Sequence, residues 1–389
     1  RRGTERTEAA SPSLCLCVSV AECMNSPSAQ IIEESQTVWG LDLQPAGCPT
    51  CRRTFLAEAG RLGQPCPACA RGRLEAQPAF MRPELPELAL PFTRRAADLR
   101  PALESFVQPV WLRPPDFTAE RLLQRAVPVF WPMWLVDAEI VGGWQAELGF
   151  DYQVKSSQEA FRDGQWRTTE VLETRARWEP RCGEIRRRYH NVPAPALNDQ
   201  AALAALIGDY PLHEAQAYAA EMVRGALVRV PDLPPESAWP LAQAALDRLA
   251  GEDCQRAAGA QHVRQIQLRV EYAAPNWTQL LLPLYATYYT DDDGQPQPVL
   301  INGRTGRVGG RRLASARQGQ QIALWMGAGA LGLFLLGVVI LLAGALFPPL
   351  LVLGGLLAVA SLALGAGALA PLLWPRQWNS RQTSSSSGA

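Results

Sequence analysis

An unbroken uncharged run constrains this chain more than any other feature of its sequence. Residues 322–375 hold 54 residues without a single charged side chain. A helix that crosses the ~30 Å hydrocarbon core of a bilayer needs about 20 residues, so the run is too long for one crossing and long enough for two. Pro348 and Pro349 divide it. We therefore predict a transmembrane hairpin over residues 321–375, with spans near 322–346 and 350–373.

The arginines beside this run predict its orientation. Five arginines lie within the twenty residues before the first span, two follow the second span, and the connecting loop has none. Because positively charged loops stay in the cytoplasm, we expect both termini and all soluble parts on the cytoplasmic side of the inner membrane. Trp325 and Trp374 lie where interfacial rings belong.

The overall charge balance hides an asymmetry. The chain has 37 basic and 37 acidic side chains, but every acidic one lies at or before Asp293. The part up to Asp293 holds 30 basic against 37 acidic side chains, a net charge of −7. Phosphate binding needs a basic surface, so this balance disfavours a general nucleic-acid-binding protein.

Four of the nine cysteines form the most specific chemical signal. They occur as Cys48-Pro-Thr-Cys51 and Cys66-Pro-Ala-Cys69, separated by fourteen residues. Two such knuckles bring four thiolates together, and Zn²⁺ accepts four sulfurs tetrahedrally at ~2.3 Å. Two disulfides or an iron centre are the alternatives, and a reducing cytoplasm disfavours the disulfides. We predict one structural zinc ion, because a closed Cys₄ site leaves no open coordination position.

The predicted zinc ion would also stabilise the segment around it. The segment from Cys48 to Cys69 is too short to build an adequate hydrophobic core alone, so metal ligation would supply its folding energy. Arginines nearby can offset the charge of a tetrathiolate centre: Arg52, Arg53, Arg61, Arg71 and Arg73.

Cys182 and Cys254 are isolated in the sequence, and we expect both to be buried thiols.

The chain divides into six segments. Residues 1–47 form a leader and disordered lead-in, in which the apolar stretch 14–21 is too short for a signal peptide and Met24 is a plausible start. The zinc ribbon covers 48–76. A proline-rich linker over 77–101 is expected to lack regular structure. A soluble domain covers 102–320, the membrane hairpin 321–375, and a disordered tail 376–389.

The soluble domain is predicted to be α+β with a largely antiparallel sheet. Strand-like segments at 144–154, 166–178 and 183–189 precede an alanine-rich helical region. Strands then return, since Ile266, Leu268 and Val270 alternate with polar residues and Asn302-Gly303 marks a tight turn. The order of strands, helices and strands favours this class over a doubly wound fold.

No catalytic constellation emerges. His190, His213 and His262 are far apart and lack a metal-binding spacing, so we expect ordinary structural or surface side chains. The fragment around Lys155 resembles a phosphate loop, but Val154 occupies the position of a required glycine. We therefore predict a protein that is not an enzyme, with no small-molecule substrate.

Three further features have simpler structural explanations. Residues 291–294, Asp-Asp-Asp-Gly, lack the full calcium-loop pattern and are expected to form a solvated turn. Residues 186–188, three arginines, are expected on a solvated edge strand, with a partner-binding stripe as the alternative. Trp131, Trp134 and Trp144 are predicted to be core residues.

Several motifs follow the cysteines along the chain: Leu90-Pro91-Phe92, Trp111, the block from Pro128 to Asp137, Trp178, Leu282 to Tyr285, and Ile301 to Gly306. With the terminal membrane segment, they resemble a bacterial family of zinc-ribbon membrane proteins of unknown function, often labelled TFIIB-type zinc-ribbon or primosomal helicase-like proteins. The resemblance covers about residues 40–345 and implies a metal-stabilised cytoplasmic module anchored in the inner membrane. Some relatives look like companions of SPFH-domain (flotillin-like) proteins in membrane maintenance. The helicase label has no support, because no nucleotide-binding loop is found.

Two functions from different classes remain at this point. The first is a non-enzymatic adaptor that presents the ribbon and the α+β domain to a protein partner on the cytoplasmic face. The second is a membrane-tethered nucleic-acid-binding regulator, in which arginines of the ribbon contact phosphates. An unrecognised enzyme would require a deep pocket lined by convergent polar groups.

Overall fold

The computed structural model describes residues 39–77, 84–162, 165–344 and 347–386. They form a mixed α+β structure with one eleven-stranded sheet and two apolar C-terminal helices, as predicted. The strands are β1 Leu43–Gly47, β2 Thr54–Glu58, β3 Glu75–Ala76, β4 Leu88–Ala89, β5 Val127–Arg162, β6 Gln165–Pro195, β7 Gln216–Ala217, β8 Leu227–Arg229, β9 His262–Thr290, β10 Pro296–Asn302 and β11 Val308–Gly310. The α-helices are α1 Arg100–Val107, α2 Ala119–Gln124, α3 Gln200–Ile207, α4 Ala220–Val223, α5 Pro235–Ala257, α6 Ala316–Gly344, α7 Pro349–Gly367 and α8 Leu369–Ser386.

Three very long strands form the spine of the sheet. β5 has 36 residues, β6 has 31 and β9 has 29. The main path through the sheet runs β11-β10-β9-β5-β8-β2-β1-β3, and β6 pairs with β5 beyond the short β8. These pairings are antiparallel except β5 with β8, and β4 also pairs in parallel with β9. At ~3.3 Å per residue, β5 extends about 120 Å.

Helix α5 covers one face of the middle of these strands. Its buried residues recur every four positions, at Ala238, Ala242, Leu246, Ala250 and Cys254. Leu246, Ala250 and Cys254 pack in one cluster with side chains of all three strands, Ile140, Ile185 and Ile266 among them. Ala238 and Ala242 belong to a neighbouring cluster with Trp134 and Val136 of β5. Beyond His262, which pairs with Gly149, β5 and β6 continue as a two-stranded arm to Arg162 and Gln165.

Helices α1 and α2 both pack near the end of β9 at Thr290, away from the two-stranded arm. The rings of Phe117 and Tyr289 of β9 pack in a tilted arrangement, with their centroids 4.1 Å apart. Asp116 ties α2 to the same strand, because its carboxylate accepts from the guanidinium of Arg125 and, at 2.8 Å, from the Thr290 N–H. The end of β9 is therefore fixed to the two helices.

The expectation that residues 77–101 lack regular structure is wrong for the described part. Leu88 and Ala89 form β4, which pairs with Leu280 and Leu281 of β9, and residues 96–99 form a 3₁₀ helix. Leu90 is fully buried. Prolines flank this short strand without interrupting its pairing, and tertiary contacts with β9 supply the order. Residues 78–83 of the predicted linker lie outside the described residues.

The predicted disordered lead-in is also ordered where it is described. Trp39 is 2% exposed and Leu43 opens β1, so the folded part begins before the first knuckle. Trp39 packs edge-on to Tyr218, whose hydroxyl donates to the Trp39 carbonyl at 3.0 Å. Residues 1–38 of the predicted leader and lead-in lie outside the described residues.

Helices α6 and α7 form a hairpin with a seam of small residues. The buried positions are Gly319, Ala323, Ala330, Gly337 and Gly344 on α6, and Gly354 and Ser361 on α7. From Ala323 onward, the seven-residue spacing on α6 is that of a left-handed helix pair. The outer face is apolar and exposed, for example at Leu324, Leu342 and Val352. Each of the two candidate spans is long and apolar enough to cross a bilayer.

The tail predicted to be disordered from residue 376 is helical through Ser386. Helix α8 continues beyond the apolar segment, and Trp374 and Trp378 stack with ring centroids 5.2 Å apart. The Trp378 indole donates to the Arg312 carbonyl, and Asn379 exchanges two hydrogen bonds with the backbone of Ala314. These contacts with the segment before α6 order the tail.

Candidate metal centre

The cysteine ribbon, residues 43–76, positions both knuckles through its strands. β1 and β2 pair antiparallel with Gly47 opposite Thr54, so the first knuckle forms the turn between them. Cys66 follows Pro65, which bridges to Arg73 in a second, shorter hairpin. β3 then returns to pair with β1. The pairing holds the two turns side by side.

Both knuckles have the same backbone geometry. The Arg52 N–H donates to the Cys48 carbonyl at 2.8 Å, and the Ala70 N–H donates to the Cys66 carbonyl at 2.8 Å. Arg52 and Ala70 have φ values of 58° and 54°, in the left-handed region that favours glycine. Two non-glycine residues thus accept backbone strain directly after the second cysteine of each pair.

The four sulfurs converge on one point. Cys48 Sγ lies 3.7 Å from Cys69 Sγ, Cys51 Sγ lies 3.6 Å from Cys66 Sγ, and all four ligand atoms lie within 4.8 Å of one another. A regular tetrahedron with ~2.3 Å metal–sulfur bonds has edges of about 3.8 Å. The structure therefore brings together all four residues singled out in the sequence, in an arrangement compatible with a bound metal ion.

The surroundings of the thiols differ. Burial raises the pKa of the Cys66 thiol strongly, and burial also raises the pKa of Cys51. For Cys48 burial acts in the same direction, but the backbone N–H groups of Cys51 and Thr50 outweigh it and lower the pKa to about 7. A positive ion would favour the thiolate form of all four, because metal binding displaces the protons.

The centre is closely packed on the side of Cys48 and Cys66, whereas Cys51 and Cys69 are partly exposed. Cys48 and Cys66 are each 1% exposed, and they belong to a core cluster with Phe55 and Leu74. Gly72 lies against the sulfur of the first ligand: a Cβ added there would sit 2.5 Å from Cys48 Sγ. Only a residue without a side chain fits this position.

The ribbon is continuous with the main sheet. β2 pairs with β8, and β8 pairs with β5. Arg53, two residues after Cys51, forms an ion pair with Asp199, which is also 3.0 Å from the buried Arg229. Arg229 contacts Asp232 at 2.7 Å. This network fixes the first knuckle to the body of the protein, and no local sequence pattern reveals it.

The three histidines do not form a site. His190 lies 3.1 Å from Asp137 and His262 lies 2.7 Å from Asp151, at separate places on the long strands. His213 lies 3.8 Å from Glu214, and all three rings are exposed. All three are surface side chains. The segment around Lys155 lies inside the strand β5 and not in a loop.

The other sequence candidates have structural roles. Trp131, Trp134 and Trp144 are buried, as predicted, and residues 186–188 lie exposed on β6, which pairs only with β5 among the described strands. Residues 291–294 form the predicted turn between β9 and β10. The turn has an additional role, because Asp292 accepts from the Ser315 hydroxyl and the Arg317 N–H at the start of α6.

The expectation of two buried lone thiols is half wrong. Cys254 is buried under the long strands, whereas Cys182 is exposed. On β6 the alternation that turns Ile185 toward α5 turns Cys182 to the opposite face.

No family model, curated protein or solved structure matches this chain. The candidate site therefore rests on its own geometry.

Proposed function

We propose that this chain is a membrane-anchored zinc-ribbon protein that acts as a non-enzymatic adaptor on the cytoplasmic face of the inner membrane. The observation that carries the proposal is the convergence of four sulfurs on a ribbon continuous with a long sheet, which is itself joined to an apolar hairpin. Zinc stabilises the ribbon, the hairpin sets the location, and the sheet presents the recognition surface.

Zinc is the ion that best fits the donor set. Four sulfurs at tetrahedral separations suit both Zn²⁺ and iron, and we prefer Zn²⁺ because closed Cys₄ sites on paired CxxC knuckles are typical of structural zinc. The two buried ligands and the packed Gly72 leave no opening for a substrate at Cys48. The ion would therefore hold the knuckles together, and the function would lie in the surfaces that the ribbon positions.

Membrane anchoring is supported by the distribution of side chains on the hairpin. The two helices face each other with small residues and present large apolar ones outward, an arrangement that suits lipid rather than water. By the positive-inside rule, the flanking arginines support a topology with both ends in the cytoplasm. A reducing compartment would also keep the four thiols available for metal.

The two-stranded arm supports an adaptor role. Phe161 and Trp166 at its end are 60% and 70% exposed and contact each other edge-on. An isolated two-stranded ribbon is marginally stable in water, and exposed aromatic side chains are typical anchors of protein interfaces. The partner suggested by the family resemblance is an SPFH-domain (flotillin-like) protein, with a role in membrane maintenance.

Affinity purification of the full-length protein from detergent extract tests this function. We expect a reproducible companion protein, and loss of that companion in the variant Phe161→Ser/Trp166→Ser. Leu241→Ser is the control, since Leu241 is exposed on α5 away from the arm. Failure to recover any companion with the intact arm, or equal recovery by the arm variant and wild type, would contradict the proposed recognition surface.

The topology has an independent test in the exposed Cys182. A membrane-impermeant maleimide should label this thiol in inverted membrane vesicles and not in intact cells. Cys182→Ser identifies the part of the label that belongs to this residue. Label at Cys182 in intact cells would place the sheet outside the cytoplasm.

The alternative is a nucleic-acid-binding regulator. Its arginines are partly committed elsewhere, since Arg61 donates to the Gly225 carbonyl, Arg73 donates to the Gly63 carbonyl, and Arg53 pairs with Asp199. Retention on DNA or RNA that weakens steeply with salt would favour this alternative over the adaptor.

A further inference from the structure

Trp111 is an exposed tryptophan outside the apolar hairpin that lies beside the end of its second span. It belongs to the segment between α1 and α2, residues 108–118, and it is 58% exposed. Its ring packs edge-on against Trp374 of α8, with the centroids 5.7 Å apart. Trp374 in turn stacks on Trp378. A side chain of the α1–α2 segment thus extends the aromatic surface at the end of the hairpin.

The α1–α2 segment is attached to both helices that leave the hairpin. The Ser315 N–H, just before α6, donates to the Leu112 carbonyl at 2.7 Å. On the side of α8, Trp374 and Trp378 pack against the core cluster that contains Val110. These contacts hold the segment at a fixed height relative to the two helices.

The length of the second span places Trp374 in the headgroup layer of a bilayer. Trp374 follows Pro349, the first residue of α7, by 25 residues, or about 38 Å at ~1.5 Å per residue. The hydrocarbon core is ~30 Å thick, and the whole bilayer with its headgroups is ~40–45 Å thick. With the hairpin tip at the far surface, Trp374 lies beyond the core and within the near headgroup layer. Trp111 packs against Trp374 and therefore lies at a similar depth.

The chemistry of this exposed surface suits phospholipid headgroups. Tryptophan is enriched at membrane interfaces, because its ring is apolar and its N–H donates a hydrogen bond. Arg113 and Arg376 each follow one of the two tryptophans by two residues, and both are exposed. Basic side chains close to a bilayer surface favour anionic headgroups. A headgroup layer would therefore cover the Trp111 ring and offer phosphates to both arginines.

We infer that the α1–α2 segment is a second membrane contact, in which Trp111 inserts into the headgroup layer of the bilayer that holds the hairpin. The inference rests on the proposed membrane anchoring and adds to it a contact made by the α+β part of the chain. Because α1 and α2 are fixed to the end of β9 at Thr290, the contact would hold this end of the sheet at the membrane. It would thereby set the direction in which the two-stranded arm leaves the bilayer.

Photo-crosslinking of the full-length protein in liposomes of phosphatidylcholine and phosphatidylglycerol tests this contact. The photoreactive amino acid p-benzoylphenylalanine replaces one residue at a time, and mass spectrometry identifies what it captures under near-ultraviolet light. We expect a phospholipid adduct at position 111. Position 166 is the matched control, because Trp166 is also exposed but lies at the end of the arm, and its lipid yield should stay at the level of a sample kept in the dark.

A second position on the same segment guards against loss of the fold. Arg113 is exposed, and its replacement leaves the Trp111 ring in place, so position 113 should give the same phospholipid adduct. A thermal unfolding midpoint equal to that of wild type shows, for each variant, that the fold is kept.

A third position separates failure of this inference from failure of the membrane anchoring. Trp325 is 78% exposed on α6, near the start of the first span, and should give a phospholipid adduct in any inserted protein. Lipid adducts at position 325 without any at 111 and 113, or equal lipid yields at 111 and 166, would overturn the inference alone. Capture of a second copy of the chain at position 111 in place of lipid would overturn it as well. No lipid adduct at position 325 would overturn the membrane anchoring itself.

Discussion

Replacing Gly72 with alanine is the sharpest structural perturbation of the candidate metal centre. The added Cβ would lie 2.5 Å from Cys48 Sγ and 2.7 Å from Thr50 Oγ1. Unbonded heavy atoms normally keep about 3.5–4.0 Å, so the sulfur would have to move by about 1 Å. Metal–ligand distances tolerate only about ±0.2 Å, and a bound ion would therefore resist that movement.

The expected cost follows from overpacking a tight site, about 1–3 kcal/mol. If this free-energy cost affects only the metal-bound state, the zinc dissociation constant rises about 5- to 140-fold, since each 1.4 kcal/mol changes a dissociation constant tenfold. Competition with a chromophoric chelator measures this constant on the full-length protein.

Gly60→Ala is the matched control for Gly72→Ala. Gly60 belongs to the same ribbon, but a Cβ there meets nothing within 4 Å. We expect wild-type zinc affinity for this variant. Equal affinities for Gly72→Ala and wild type, or an equal loss in Gly60→Ala, would refute the reasoning.

Three further substitutions test the supporting contacts. Burial alone would raise the pKa of Asp116, but hydrogen bonds from Arg125 and Thr290 outweigh burial and lower the pKa to about 2. The variant Asp116→Asn should therefore be less stable than wild type by about 2 kcal/mol at neutral pH. Because the pKa of Asp116 is lower in the folded state than in the unfolded state, the stability difference between wild type and Asp116→Asn should narrow as the pH falls from about 4 toward 2. Thermal unfolding curves measure this difference, and a difference that stays constant with pH would argue against the ion pair. Asp292→Ala removes the acceptor at the start of α6 and should cost about 1 kcal/mol, whereas the exposed neighbour Asp293→Ala should cost much less; equal unfolding midpoints would exclude the capping role. Gly354→Ala places a Cβ 2.6 Å from Leu341 Cγ, while Gly355→Ala meets nothing within 4 Å, so only the first should lower hairpin stability in nanodiscs, by about 1–3 kcal/mol.

The parts of the fold that could be predicted from the sequence depend on local patterns. The uncharged run gives both apolar helices because a bilayer span has a fixed length, and the CxxC spacing identifies all four clustered cysteines. Alternation at residues 266–270 predicts strand β9. These signals need no knowledge of distant contacts.

The strand lengths depended on pairing that the sequence does not show. Separate strand-like segments at 144–154, 166–178 and 183–189 were expected, yet they belong to two continuous strands, β5 and β6. The pairing of β5 with both β6 and β9 continues without a turn through residues 142 and 143. Hydrogen bonds between strands that are distant in sequence thus determine the strand lengths.

The ends of the membrane hairpin show the same limitation. Hydropathy placed the first span at 322, whereas α6 starts at Ala316. Asp292, more than twenty residues earlier, accepts hydrogen bonds at this start. The tail was expected to be disordered because it is polar, but Trp378 and Asn379 bind the backbone of residues 312–314. Neither pairing is visible in a local window.

Around the candidate metal centre, the sequence identified the four clustered cysteines but not the residues that support them. Gly72 has no distinctive neighbours in sequence, and its role follows only from the 2.5 Å approach of a Cβ to Cys48 Sγ. Asp199 and Arg229 are also distant from the cysteines in sequence, and they link Arg53 to the sheet through ion pairs. Side chains from distant segments determine such networks, so spacing along one segment cannot reveal them.

Elemental analysis of freshly purified, reduced full-length protein tests the zinc-ribbon assignment most directly. We predict one zinc per chain, retained after gel filtration and lost in Cys48→Ser and Cys66→Ser, while Cys182→Ser retains it. Metal-free protein that also fails to take up added zinc, or zinc retained in full by both ligand variants, would contradict the assignment.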